Sequence, residues 1–276
     1  MYLLFDIGGT KTRMAISENL KEFSEPEIYA TPRTYEEGIQ VFKENARKIL
    51  KGTKIEGIAG GIAGPFDEHS RSLVASPQLK DWVGKPFKQD LEKEFLAPVY
   101  IENDAALAGL GEANFGAGRG RRIVAYITVS TGVGGARIIS GKIDEKTIGF
   151  EPGFLIVDAD NSLCSNCDGN HLGAMINGRS FEKRFGKKGE EIDDPEVWED
   201  AAKFLAYGLN NIAVLWSPDV IVLGGSVMKS IDIKKVEEHL KNILKIYPEL
   251  PELKSAELGD HGGLWGAMAF LKKQEK

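Results

Sequence analysis

The chain has only two cysteines, Cys164 and Cys167. A single pair so close together cannot form a disulfide framework, which suits a reducing cytosol. Long apolar runs are missing too: none approaches the roughly 18–20 residues that span a bilayer. The opening MYLLFDIGGT carries no basic leader, so no signal peptide is expected. Excess positive charge is also lacking. A formal net charge of −6 argues against a nucleic-acid-binding surface. These absences predict a cytoplasmic protein with neither membrane nor nucleic acid as partner.

The 276 residues, 42% hydrophobic and 28% charged, have the balance of a globular protein. That length predicts two domains of roughly 100–150 residues each. The N-terminus reads as a hairpin: Tyr2 to Ile7 is β-prone, Gly8 to Lys11 turns, and Thr12 to Ser17 returns. A strand over Ile28 to Thr31 follows. Thr34-Tyr35-Glu36-Glu37 then has the form of a capping box opening a helix. Ile55 to Ala63 reads as a glycine-laced strand, Val99 to Glu102 as another, and Asp104 as the start of a helix. The pattern then restarts: strand Ile123 to Val129, turn Gly132 to Gly135, strand Ala136 to Ile139. A long helix over Pro195 to Trp216 leads to a buried strand, Val220 to Leu223, and helices over Ile233 to Ile246 and Gly262 to Lys272. Two related α/β domains with a cleft between them are expected, with a hinge near Gly116–Gly120.

Chemistry concentrates at the two glycine turns. Gly8 and Gly9 let backbone N–H groups approach an anion, Thr10 adds a hydroxyl and Lys11 a charge. Asp6, at the strand end, suits Mg²⁺ held through a water, because Mg²⁺ keeps most of its hydration shell. Thr131, Gly132 and Gly134 repeat the device in the second half, so the two turns together can grip a polyphosphate such as that of ATP. Gly224 and Gly225 close a third apolar strand and leave room for a flat base. Asp104 follows a strand and opens a helix, so it reads as a helix N-cap. The same aspartate can orient an attacking hydroxyl and take its proton, with Asn103 fixing the substrate.

The set DIGGTK at 6–11, AGP at 63–65, ENDA at 102–105, STGVGG at 130–135, EPGF at 151–154, VLGGSV at 222–227 and LGDHGGLWGA at 258–267 resembles the repressor–ORF–kinase (ROK) family. That family lies within the hexokinase/actin-like ATPase superfamily. The resemblance implies an α/β fold of two ribonuclease-H-like domains closing around ATP and a sugar. The domains would cover residues 1–118 and 119–261, with the last helix, 262–276, returning to the first. It implies a glucokinase-like ATP-dependent sugar kinase with Asp104 as catalytic base. Asn103 and Glu151 would contact the sugar, which sits near Gly64. A homodimer or homotetramer is also implied. The family's repressors carry an extra N-terminal helix-turn-helix, for which this chain has no room, so an enzyme is favoured.

The match departs from the family after Glu151. Where the family continues Glu-x-Gly-His, this chain has Phe154; the family's third zinc cysteine falls on Leu172 and a sugar-binding glutamate on Ala174. Cys164, Cys167 and His171 leave three soft ligands where zinc wants four. Two surface thiols and a solvated imidazole are the alternative. Losing polar sugar partners alters acceptor choice, so an N-acetylhexosamine, fructose or another polyol competes with glucose. A sugar-sensing regulator without catalysis and an ATPase or acyl-phosphate kinase are the rival classes. Trp82 is a candidate wall of the sugar pocket, and His69, His239 and His261 read as isolated surface or turn residues.

Overall fold

A computed structural model describes residues 1–67 and 71–274. The chain divides into two compact units: Met1–Phe115 with Glu145–Gly149 and Asp260–Lys276, and Gly116–Asp144 with Phe150–Gly259. His69 lies outside the described residues.

The first unit is built on β1 (Tyr2–Ile7), β2 (Lys11–Ser17), β3 (Glu27–Ala30), α1 (Tyr35–Leu50) and β4 (Gly57–Ile62). A small ribbon of β5 (Phe66–Asp67) and β6 (Ser72–Leu73) follows, then α2 (Phe87–Phe95), β7 (Val99–Asn103) and α3 (Asp104–Phe115). Its five-stranded sheet has the order β3-β2-β1-β4-β7. The β1–β2 and β2–β3 pairs are antiparallel, as tight turns require, whereas β1–β4 and β4–β7 are parallel and need crossovers. β4 is buried along its whole length, as a strand covered on both faces must be.

The second unit contains β8 (Ile123–Val129), β9 (Val133–Ile139), β10 (Lys142–Ile143), α4 (Leu172–Ile176), α5 (Gly178–Phe185) and α6 (Pro195–Trp216). It continues with β11 (Val220–Gly224), α7 (Ile233–Ile243) and β12 (Glu252–Ser255). Its sheet, β10-β9-β8-β11-β12, has the same connectivity and the same change from antiparallel to parallel as the first. The repeated strand–glycine turn–strand pattern in the sequence is this repeated sheet order. The chain is thus α/β with one such sheet in each unit.

Each unit has its own core. Phe5, Phe42 and Phe87 meet edge to face in the first, and Trp82 joins them through Phe87 and Tyr35. Trp82 is 3% exposed and its indole N–H donates to the Pro32 carbonyl. It is therefore a core residue and not a pocket wall. In the second unit Phe181, Phe204, Leu205, Ile221 and Leu223 lie in one cluster, with Trp198 edge to face against Phe181.

Two local expectations are corrected. Thr34 occupies the N-cap of α1 but its side chain makes no capping bond. The Asp81 carboxylate takes a different N–H of the first turn, that of Tyr35, at 2.8 Å, so a distant acid supports the start of the helix. His239 is not isolated, because its Nε2 lies 2.7 Å from Glu199 Oε1.

The last helix, α8 (Gly262–Gln274), packs on α3 within the first unit. The approach is backbone to backbone: a Cβ on Gly266 would stand 1.8 Å from the Leu107 carbonyl oxygen. A single methyl here has nowhere to go, since the obstacle is main chain. Gly266→Ala should therefore cost roughly 1–3 kcal/mol. Urea denaturation checks this, and an unchanged midpoint would contradict the packing.

Candidate active site

In the first unit the sheet register brings the candidate residues together. Asp6 pairs with Gly61, and Gly61 with Glu102; one step further along, Ile7, Ile62 and Asn103 align. The carboxyl ends of three neighbouring strands thus carry Asp6, Gly61 and the Glu102-Asn103-Asp104 segment. Gly61 is the spacer. A Cβ there would lie 2.9 Å from the Asp104 Cα, so any side chain would push the start of α3 away.

Asn103, and not Asp104, caps α3. Its Oδ1 accepts from the Ala106 N–H at 3.0 Å, while its Nδ2 donates to the Gly64 carbonyl at 3.1 Å. Asp104 is the first helical residue, and its Oδ1 takes the next N–H, that of Ala105, at 2.9 Å. The capping role expected at Asp104 has moved back by one residue, which leaves its carboxylate available for chemistry. Burial pushes Asp104 up to about 6 despite the opposing backbone N–H groups. The field of a helix N-terminus favours the ionised form, but desolvation outweighs it here.

Asp6 is pushed up to about 7, chiefly by burial and then by the Asp104 charge; Arg13 opposes this and Asp260 adds to it. Arg13 Nη1 lies 3.8 Å from Asp6, and its Nη2 donates to Asp260 at 2.9 Å. The beginning of α8 also reaches this point, for a Cβ on Gly263 would be 2.7 Å from the Asp6 Cγ. Sequence reasoning missed Arg13, although a cation on the strand leaving the turn was a signal available in DIGGTKTR.

The Gly8–Lys11 turn is closed by a bond from the Gly8 N–H to the Lys11 carbonyl at 3.0 Å. Thr31 braces it, donating from its hydroxyl to the Gly8 carbonyl at 2.8 Å. Gly9, Thr10 and Lys11 are exposed. The Gln78 side chain covers Gly9 so closely that a Cβ there would be 2.5 Å away. Gln78 was not foreseen, because nothing in its neighbourhood repeats.

In the second unit the turn between β8 and β9 contains Thr131 and Gly132, while Gly134 is the second residue of β9, paired with Thr128. The Ser130 and Ser226 hydroxyls are 3.1 Å apart, which joins this turn to Gly224 and Gly225 at the end of β11. The Gly178 N–H donates to the Ser130 carbonyl at 2.8 Å, so the start of α5 also reaches the turn. Ser130, Ser226 and Gly178 are thus additions to the candidate set. Glu151 is exposed and precedes a short helical turn, Pro152–Phe154.

The zinc expectation at Cys164, Cys167 and His171 is corrected. The two cysteines are joined as a disulfide, which overturns the alternative of two surface thiols as well. His171 caps α4 through Nδ1, which also lies 2.9 Å from the Gly153 carbonyl oxygen, and its ring lies 5.1 Å from that of Phe154. No group of three or more His, Cys, Asp or Glu stands together as a metal site among the described residues. The loop has another anchor: buried Asp158 accepts the N–H groups of Ser162, Leu163 and Cys164 at 2.9–3.3 Å.

Such an architecture, with sheets of one order repeated and a glycine turn in each, is that of the actin-like ATPases. The chain belongs to the ROK family, whose model matches residues 2–274. It is 30% identical to an N-acetyl-D-glucosamine kinase of Mannheimia succiniciproducens, over 98% of this chain and 99% of that protein. Its fold is similar to that of a ROK hexokinase from Thermus thermophilus (TM-score 0.85, 27% identity, covering 100% of this chain and 99% of that one). A ROK family glucokinase from Streptomyces griseus, solved with glucose and AMPPNP, is similar as well (TM-score 0.81, 26% identity, 99% of each chain).

Thiol titration of the protein purified without reductant should find no reactive thiol in the unfolded chain, and two after reduction. Two thiols without reduction would restore the open Cys164/Cys167 pair.

Proposed function

We propose that this chain is an ATP-dependent sugar kinase that transfers the γ-phosphoryl group to a hexose hydroxyl, with Asp104 as the catalytic base. The observation that carries this reading is the junction of β7 and α3. There an aspartate relieved of capping duty follows an asparagine held at both ends of its amide, one strand removed in the sheet from the end of β1 that carries Asp6. Relatives named as sugar kinases along the full length of the chain support the same reaction class.

Asp104 orients the acceptor hydroxyl and receives its proton as the hydroxyl oxygen bonds to the γ-phosphorus. The bond from that phosphorus to the β–γ bridging oxygen breaks, and ADP leaves. A loose transition state asks for orientation more than for early deprotonation, so a base near 6 is adequate. Asn103 and Glu151 are proposed as sugar contacts beside Gly64. Gly8 to Lys11 and Thr131 to Gly134 are proposed to hold phosphates, and Gly224 and Gly225 the base. Asp6 would hold Mg²⁺ through a water, and the metal would neutralise phosphate charge. A single carboxylate suits Mg²⁺, which takes one or two together with substrate phosphates.

Glucose and N-acetylglucosamine lead the acceptors, because relatives of both names run the length of the chain. The loss of polar groups at Phe154 and Ala174 leaves fructose or another polyol as alternatives. A cytoplasmic homo-oligomer is part of the proposal. No described helix is long and apolar enough to cross a membrane.

ADP release is measured against a panel of sugars. Asp104→Asn should lower turnover at least about a hundredfold with a modest change in sugar affinity, the usual scale for losing acid–base help. A variant within threefold of wild type would refute the role.

The pH profile gives a second check. Asp104 works ionised, so at saturating Mg²⁺, which would keep Asp6 ionised, kcat/KM should be flat above about 6 and fall as pH drops through that value. Below it the loss should approach tenfold per pH unit. Activity independent of pH down to 4 would remove Asp104 as base.

A further inference from the structure

Glu145–Gly149 is a short irregular stretch that belongs to the first unit, although the residues on both sides of it, Asp144 and Phe150, belong to the second. These five residues thus interrupt the second unit in sequence and are part of the first. Such an excursion needs an anchor, and two are visible. Lys146 donates from Nζ to Glu102 Oε2 at 2.5 Å. Gly149 faces Pro65, with its Cβ position 4.0 Å from the Pro65 Cβ.

Both anchors flank the same asparagine. Glu102 precedes Asn103 and accepts its backbone N–H through Oε1 at 2.7 Å, while Gly64, beside Pro65, accepts from the Asn103 side chain. Glu102 is 9% exposed, and a carboxylate so buried is tolerated when paired. Lys146, with a side chain only 16% exposed, is that partner. One carboxylate therefore ties the Lys146 ammonium to the main chain of Asn103. Breaking a buried pair on one side leaves an unpaired charge, and the neighbouring backbone must move to resolvate it.

We propose that Glu145–Gly149 is a strap against the acceptor-sugar subsite, and that Lys146 is a positioning residue which, through Glu102, fixes Asn103 for the sugar. This rests on the kinase reading above and adds to it the residue that sets acceptor affinity. Lys146 touches neither the reacting hydroxyl nor the nucleotide. Its loss weakens ground-state and transition-state binding of the sugar alike, which raises KM and leaves kcat.

The test measures initial rates with glucose, N-acetyl-D-glucosamine and fructose at saturating ATP, and sugar binding without nucleotide by calorimetry. Lys146→Met should raise the KM and the dissociation constant of the accepted sugar at least tenfold. kcat at saturating sugar and the KM of ATP should stay within threefold. Lys146→Arg, which keeps the charge, should recover most of the affinity. Glu102→Gln should weaken sugar binding similarly, and the double variant should be no worse than either single one. That non-additivity is the signature of one shared interaction.

A sugar KM within twofold of wild type in folded Lys146→Met overturns the proposal. So does a fall in ATP affinity in step with sugar affinity, which would mark a merely structural role. If Lys146→Met fails to fold, Lys146→Arg and Glu102→Gln decide: normal sugar affinity in Glu102→Gln overturns it. Wild-type protein that turns over none of the three sugars, while hydrolysing ATP alone, strikes the kinase reading itself. Wild-type turnover beside an unaffected variant strikes only Lys146.

Discussion

Everything at the candidate site depends on a backbone approach at Gly61. In β4 this residue stands in register with Asp6 on one side and Glu102 on the other, and the Asp104 Cα lies where its side chain would be. Because the position is empty, three parallel-running strand ends can deliver two carboxylates to one place. The same crowding accounts for the electrostatics: Asp104 raises Asp6, and burial raises both. The site thus trades favourable solvation for closeness, which is the usual condition of groups kept ready for proton transfer or charge neutralisation.

The electrostatic cost is met locally. Arg13 lies against Asp6 and Asp260, and Lys146 against Glu102, so each acidic strand end has a cation from another element. These pairs also lock chain segments that no regular hydrogen-bond ladder holds. The approach of β2 to the Gly259–His261 turn is fixed by Arg13, and that of residues 145–149 to β7 by Lys146. Charge compensation and tertiary anchoring are one device here.

How much of this was legible in the sequence follows from the physics of each signal. Strand, glycine turn and strand recur, so two related α/β halves were readable, and so was α6 from Pro195 to Trp216, whereas the order of strands within each sheet was not. Cap identity was not. Asn and Asp cap about equally well, so the choice between Asn103 and Asp104 was settled by the bond to Ala106 and not by residue type. Thr34 had the right pattern but makes no side-chain cap bond, and the first turn is supported instead by Asp81 at the Tyr35 N–H, an acid far away in the chain. Cys164 and Cys167 were read as zinc ligands or surface thiols, because their spacing alone does not announce a bridge. Lys146 sits in a stretch with no periodicity, so nothing local could announce its partner forty-four residues away.

The amide of Asn103 carries a consequence for how this position can drift. Its oxygen serves Ala106 and its nitrogen serves Gly64. Aspartate would keep the first contact, yet it would turn a lone pair toward the Gly64 carbonyl and add a third acid between Glu102 and Asp104. Serine or threonine would reach the helix but not the turn. Of the side chains that start helices well, only this one satisfies both neighbours, and the locus is correspondingly closed to neutral exchange.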